Sequence, residues 1–183
     1  TRGVVSRIEF RPYAHSGLDA HLTVQIDAAI NPGSSGGPVV QDNKVVGVSF
    51  QGYGGNVAQN TGYMIPIPVI SHFLKDIEDA DYDGYVDLSI ETFNLRNPDA
   101  REAFKLPSDD RGVVVTFVLT AGASHGVLQI GDVLLAIDGH PILTDGTIQL
   151  DGDYVKMEEV VERKFDGDKV KLNIVRDGEK QVV

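Results

Sequence analysis

The chain has 183 residues, enough for one large domain or two small ones, each with a buried core of its own. It is 42% hydrophobic and 23% charged, with no apolar run long enough to cross a bilayer, and its net charge of -11 argues against nucleic acid or an anionic membrane as partner. Zero cysteine excludes disulfides, thiolate catalysis and cysteine zinc sites, and fits either a cytosol or an envelope compartment.

The first residues, Thr1-Arg2-Gly3-Val4-Val5-Ser6, read as a strand edge without a signal peptide, which predicts a fragment whose natural start lies upstream. Leu22, Val24 and Ile26 alternate with Thr23, Gln25 and Asp27, the period of a half-buried strand. Lys44 to Phe50 reads as another strand behind a turn at Asp42-Asn43, residues 52–56 as a glycine-rich surface loop, and Tyr63-Met64-Ile65 as a return to strand. From Pro68 the period becomes helical, with Val69, Phe73 and Ile77 flanked by Ile70 and Leu74 as the apolar stripe, which puts His72 on the surface. Asp76, Glu78, Asp79 and Asp81 place negative charge at that helix's C-terminal end, where it is unfavourable, so the end should fray. An acidic junction over 80–84 then divides the chain.

Beyond it, Asn97-Pro98-Asp99 supplies a cap, a proline at the first helical position and an acid in the first turn, predicting a helix to Pro107. Residues 112–118 and 132–137 read as buried strands, with a turn at Asp138-Gly139. A helix is expected from Met157 to Phe165, then an alternating strand over 169–176 and a tight hairpin at Asp177-Gly178.

Chemistry concentrates in Asn31-Pro32-Gly33-Ser34-Ser35-Gly36-Gly37-Pro38. A serine between glycines can stand out on a tight turn where a scissile carbonyl approaches freely, with backbone N–H groups aimed at the oxyanion that forms. The same residues are also the common turn formers, so a polar turn between strands is the plain alternative. The stretch Asp27-Ala-Ala-Ile-Asn-Pro-Gly-Ser-Ser-Gly-Gly-Pro38 resembles the nucleophile loop of trypsin-like serine proteases of the HtrA/Deg family. Gly3-Val4-Val5-Ser6, Val45-Val46-Gly47-Val48 and Gly62-Tyr63-Met64-Ile65-Pro66 follow in the family's order. Gly126-Val-Leu-Gln-Ile-Gly-Asp-Val-Leu-Leu-Ala-Ile-Asp-Gly-His140 resembles the family's PDZ domain. The resemblance implies a mostly β fold: the C-terminal β-barrel of a trypsin-like protease over 1–79, an acidic linker over 80–84, and an α+β PDZ domain over 85–183.

It further implies Ser35 as nucleophile, the N–H groups of Gly33 and Ser35 as oxyanion hole, and Ala28, Ala29 and Ile30 at the base of a specificity pocket walled by Phe50 and Gln51. An apolar base favours small or branched aliphatic side chains. Ser34 stands where digestive relatives carry an aspartate, which fits switching by conformational equilibrium. The base and orienting acid would lie upstream of Thr1, so the chain alone should have negligible peptidase activity. His15 and His21 are expected to be solvent-exposed, and His125 and His140 to sit in PDZ turns. The PDZ half should add an extended peptide as a strand, using Asp87, Leu88, Ser89 and Ile90, with Val160 or Val161 on the facing helix. Ser89 replaces the usual glycine there, and Asp87 brings an acid to the place of a ligand carboxylate.

Asp79-Ala-Asp-Tyr-Asp-Gly84 has the spacing of a calcium loop, but Ile90 stands where a bidentate glutamate belongs, and an acidic solvated linker is the preferred reading. No metal or cofactor is expected. The resemblance implies an ATP-independent endopeptidase for unfolded or damaged proteins, trimeric or a multiple of that at full length, in a bacterial periplasm or envelope or in an organelle. The competing reading is a non-catalytic peptide-binding scaffold or pseudoprotease.

Overall fold

The computed structural model describes residues 1–13, 20–31, 33–52, 61–106, 109 and 111–183. They form two compact units, Thr1–Gly84 and Tyr85–Val183. His15, Pro32, Pro107 and the loop after Gly52 lie outside the described residues.

The first unit is a five-stranded antiparallel sheet of β1 (Val5–Pro12), β2 (Ala20–Ile26), β3 (Pro38–Gln41), β4 (Lys44–Gly52) and β5 (Gly62–Pro66), ordered β1-β2-β5-β4-β3. Asp42 and Asn43 join β3 to β4 with φ of 50° and 60°, the paired left-handed turn whose twist matches an antiparallel hairpin. Val24, Ile26, Ala28 and Met64 form the core, with Ile8, Ile30, Val39 and Val46 packed on it. Thr23 breaks the alternation expected of β2: it too is buried, and its hydroxyl donates to the Glu9 carbonyl at 3.0 Å. That bond removes the cost of taking a hydroxyl out of water.

Helix α1 (Ile67–Asp76) forms where the helical period begins, but its buried face is Val69, His72 and Asp76. Val69 is buried as expected, but Phe73, Leu74 and Ile77 of the same stripe are exposed, and His72 is a buried residue, not a surface one. The acidic end does not fray either. It tightens into a single 3-10 turn, Ile77–Asp79, closed by Ala80 at φ 70°. Asp76 takes the Gly84 N–H at 3.1 Å, so its charge is used as an acceptor where the chain folds back. In the acidic segment Asp79 and Asp81 accept from the backbone N–H groups of Asp81 and Tyr82.

The second unit holds a sheet ordered β13-β12-β8-β7-β6, built from β6 (Ile90–Asn94), β7 (Val113–Val118), β8 (Val133–Ile137), β12 (Leu172–Arg176) and β13 (Glu179–Val182), with β9 (His140–Pro141) paired to β8. Leu95, Val114, Val133 and Val175 make one core cluster beneath Ala100, Phe104, Leu106 and Leu135. Helix α2 (Pro98–Ala103) starts as expected, with the Asn97 side chain accepting the Asp99 N–H at 2.9 Å, but it ends short of Phe104 and Pro107. Helix α3 (Glu158–Glu162) is likewise shorter than Met157 to Phe165. Asp138-Gly139 and Asp177-Gly178 both adopt positive φ and turn the chain as read; His140 opens β9, while His125 lies in a turn. A hairpin of β10 (Thr147–Leu150) and β11 (Asp153–Lys156) was not expected from the sequence. Its turn, Asp151-Gly152, carries the same dipeptide signal.

Candidate active site and peptide groove

The serine loop leaves β2 through Asp27, whose carboxylate accepts the Val4 N–H at 2.6 Å while its own N–H donates to the Val4 carbonyl at 3.2 Å. Ala28 then drops into the core and Ile30 packs on it, so the leading flank of the loop is anchored before the glycines begin. The Ser34 N–H donates to the Asn31 carbonyl at 2.9 Å, closing a turn through Gly33 at φ 93°. Gly36 follows at φ 89°. Both values lie in the left-handed region, where any Cβ is strained, and this is the local reason for glycine on either side of the serines.

Between those glycines Ser35 is exposed, and its hydroxyl donates to the Phe50 carbonyl at 3.0 Å. An amide oxygen accepts a hydrogen bond but is far too weak a base to take the proton, so this contact orients the hydroxyl without activating it.

The residue that holds the loop is Ser49, which the sequence reading passed over. It is buried in β4; its carbonyl takes the Gly36 N–H at 2.7 Å and its N–H donates to the Gly37 carbonyl at 2.9 Å. Its hydroxyl lies at bonding distance from the carbonyls of Ser34 and Gly37, and its single proton serves one of them at a time. The available signal was a small hydroxyl residue on a strand otherwise reading Val45-Val46-Gly47-Val48 and Phe50.

Ala29 and Ile30 line one cleft of the first unit, together with Ala28, Gly33 and Ser34. Phe50 does not line that cleft: its ring packs on Tyr13 at 4.6 Å between centroids. Gln51 pairs with Tyr63 through the backbone, and its side chain lies outside the described part. His21 is half-buried in β2 with its ring edge-on to Tyr13, which is a strand position but not a solvent-exposed one.

In the second unit β6 is the end strand of the sheet, and a groove of about 700 Å³ runs beside it. Leu88, Ile90, Phe117, Leu119, Met157 and Val161 supply its apolar wall. Of the two valines considered, Val161 lines this groove and Val160 does not. Ser89 stands at φ 54°, which explains why a glycine would suit the position. Its N–H is taken by the carboxylate of Asp87, and its carbonyl accepts the Leu119 N–H at 2.9 Å. A Cβ at Gly122 would fall 2.1 Å from the Ser89 Cβ, so a glycine across the loop makes the room that Ser89 uses.

Charged side chains also pair within the second unit. Asp132, 1% exposed, receives both a 2.7 Å bond from Arg176 Nε and a 2.7 Å bond from Arg176 Nη2, while the Gln129 N–H donates to it at 2.8 Å. On α3, Glu159 is also 1% exposed and accepts from Arg163 at 2.8 Å. Burial pushes the Glu159 carboxyl above the usual carboxylate range despite that partner. Burial also opposes ionisation of Asp138, but hydrogen bonds from Lys164 and the Lys171 N–H outweigh it and hold that carboxyl low. Among the described residues no cluster of three or more His, Asp or Glu side chains is arranged to hold a metal.

A trypsin family model matches residues 3–74 and a PDZ domain model matches residues 86–183. The chain is 41% identical over 186 residues to protease Do-like 2, chloroplastic, of Arabidopsis thaliana, a match that spans all of this chain and 30% of that protein. It is 37% identical to the same plant's protease Do-like 4, mitochondrial, across 97% of this chain and 34% of that protein. Among solved structures, the HtrA-type protease AlgW with a tripeptide superposes with a TM-score of 0.69 at 25% identity, covering 98% of this chain and 56% of that one. The chain therefore belongs to the HtrA/Deg family of trypsin-like proteases with a PDZ domain. It spans about a third of the length of these curated relatives.

Proposed function

We propose that Ser35 is the nucleophile of an ATP-independent serine endopeptidase that degrades unfolded or damaged proteins. The observation that carries the proposal is the exposed Ser35 hydroxyl between two left-handed glycines, on a loop fastened to β4 through Ser49. In the reaction Oγ attacks the peptide carbonyl, a general base takes its proton, and that proton then goes to the departing amine as the C–N bond breaks. Water, deprotonated by the same base, releases the acyl group. The N–H groups of Gly33 and Ser35 receive the oxyanion, each donor worth roughly 3–4 kcal/mol of barrier. Ala29 and Ile30, at the base of their cleft, select a small or branched aliphatic side chain.

The base and its orienting acid are assigned to a preceding barrel, as the family resemblance implies. Within the described residues the Ser35 hydroxyl donates to the Phe50 carbonyl, and these 183 residues alone should hydrolyse peptides negligibly. Residues Asp87, Leu88, Ser89, Ile90 and Val161 bind an extended peptide by strand addition along β6. AlgW, solved with a tripeptide and with a decapeptide, supports a peptide as ligand. Trimers or their multiples are expected of the full-length protein.

A fluorophosphonate probe on the full-length protein tests the catalytic assignment. Labelling that disappears in Ser35→Ala supports the protease. Absence of labelling in the unmodified full-length protein would identify a peptide-binding scaffold instead.

A further inference from the structure

We infer that the groove beside β6 selects an extended, positively charged segment that continues past the 87–90 loop, and selects against a free chain-end carboxylate at that loop. The inference rests on the strand-addition reading above and specifies its ligand.

A carboxylate captured at such a loop needs backbone N–H groups turned towards it. Here the Ser89 N–H is already engaged by the carboxylate of Asp87. An incoming carboxylate would have to displace that group and then lie against it, two like charges on one donor, an arrangement that is strongly unfavourable. The loop is not free to rearrange around this conflict at no cost. The Ser89 carbonyl is tied to the Leu119 N–H, and the Ser89 side chain sits against Gly122.

The charge of the walls points the same way. Asp87, Glu91, Glu158 and Glu162 all line the groove, and no Lys, Arg or His is among the described residues that do. Between those acids lies an apolar bed that includes Ile90, Phe117 and Val161, with Phe117 and Leu119 each nearly half exposed. A ligand matched to both features carries an apolar side chain flanked by lysine or arginine. The outer edge of β6, the last strand of its sheet, supplies main-chain partners for a segment of any sequence, and so adds affinity without requiring a chain end.

The test is fluorescence anisotropy on the 183-residue chain with a labelled peptide of alternating lysine and valine. The peptide is made in three forms: ending in a free carboxylate, ending in an amide, and continuing through a Gly-Ser-Gly extension. The amide and extended forms should bind alike and about tenfold or more tighter than the carboxylate form, the size of one close like-charge contact near a surface. Replacing the lysines by glutamate should abolish binding. Asp87→Asn keeps an acceptor for the Ser89 N–H while removing the charge, and should close most of the gap between carboxylate and amide. If the carboxylate form binds tightest, or the glutamate peptide binds as well as the lysine one, the selectivity is overturned and peptide binding stands. If none of the forms binds at millimolar concentration, the strand-addition reading itself falls.

Discussion

Ser49 shows how much one small side chain can decide. Its carbonyl, N–H and hydroxyl all bond to the segment that carries Ser35, so β4 dictates where Ser35 stands. Ser49→Ala removes only the hydroxyl. It should destabilise the first unit by about 1 kcal/mol, the net worth of one hydrogen bond, measurable by urea unfolding. In the full-length protein it should slow fluorophosphonate labelling roughly ten- to a hundredfold, because a nucleophile displaced by a fraction of an ångström loses its attack geometry. A labelling rate equal to wild type would show that the backbone bonds alone position the loop. Ser89 and Gly122 make a second test at this scale. Gly122→Ala would put two Cβ atoms in collision and should destabilise the PDZ unit, whereas the same change in a Ser89→Gly background should cost much less. Additive effects in that double-mutant cycle would mean that the two positions relax independently.

At the scale of elements, the bond between Asp132 and Arg176 joins the turn before β8 to the end of β12. Arg176→Met would leave a buried carboxylate without its cation. The expected cost is about 3 kcal/mol, the lower end for a buried pair broken on one side, because the Arg176 side chain is itself 20% exposed. Faster hydrogen exchange at the Val115 and Leu134 amides, both in the same sheet, would report it. Glu159 gives a pH dependence. Its folded carboxyl binds a proton more tightly than the unfolded one, so its contribution to stability is present at low pH and is lost as pH rises from about 4.5, the ordinary glutamate value, through the raised folded value. Glu159→Gln copies the protonated form. Its stability relative to wild type should therefore improve as pH rises from about 4.5 through the raised folded value and then level off; a difference independent of pH would refute the assignment.

Much at this scale was legible from sequence. The Asp138-Gly139 and Asp177-Gly178 turns were readable because only a few residues tolerate the positive φ that such hairpins require. The Asp151-Gly152 hairpin was missed although it carries the same dipeptide, because its four-residue strands are too short for their alternation to stand out from loop. Helix α1 was visible by its period but misread in phase. Hydrophobicity alone placed Phe73 and Leu74 inside, while the fold buries His72 and Asp76, and Asp76 is kept there by a backbone N–H eight residues further on. Asp132 and Arg176 lie 44 positions apart, so no local pattern could have paired them.

Across the whole molecule the turn geometry of the serine loop was readable because it depends on consecutive residues. The groove was legible only through the family resemblance, which named the 87–90 loop and Val161; no local pattern could have shown it, since β6, α3 and that loop meet there only after folding. The overall charge has a further consequence at this level. With 27 acidic against 16 basic side chains, the chain attracts cationic segments over a distance that salt shortens. The association rate of the lysine-containing peptide should fall as ionic strength rises from about 0.01 to 0.5 M, whereas an uncharged analogue should associate at a constant rate. Equal salt dependence for both would place the attraction elsewhere.

The contact between the Ser35 hydroxyl and the Phe50 carbonyl also has a dynamic consequence. An alcohol that donates to an amide oxygen is no more nucleophilic than any serine on a protein surface. The hydroxyl leaves that oxygen by one torsion about the Cα–Cβ bond, and an exposed side chain turns about that bond in picoseconds to nanoseconds. If Ser35 is the proposed nucleophile, that rotation alone would free its hydroxyl for an imidazole brought within reach.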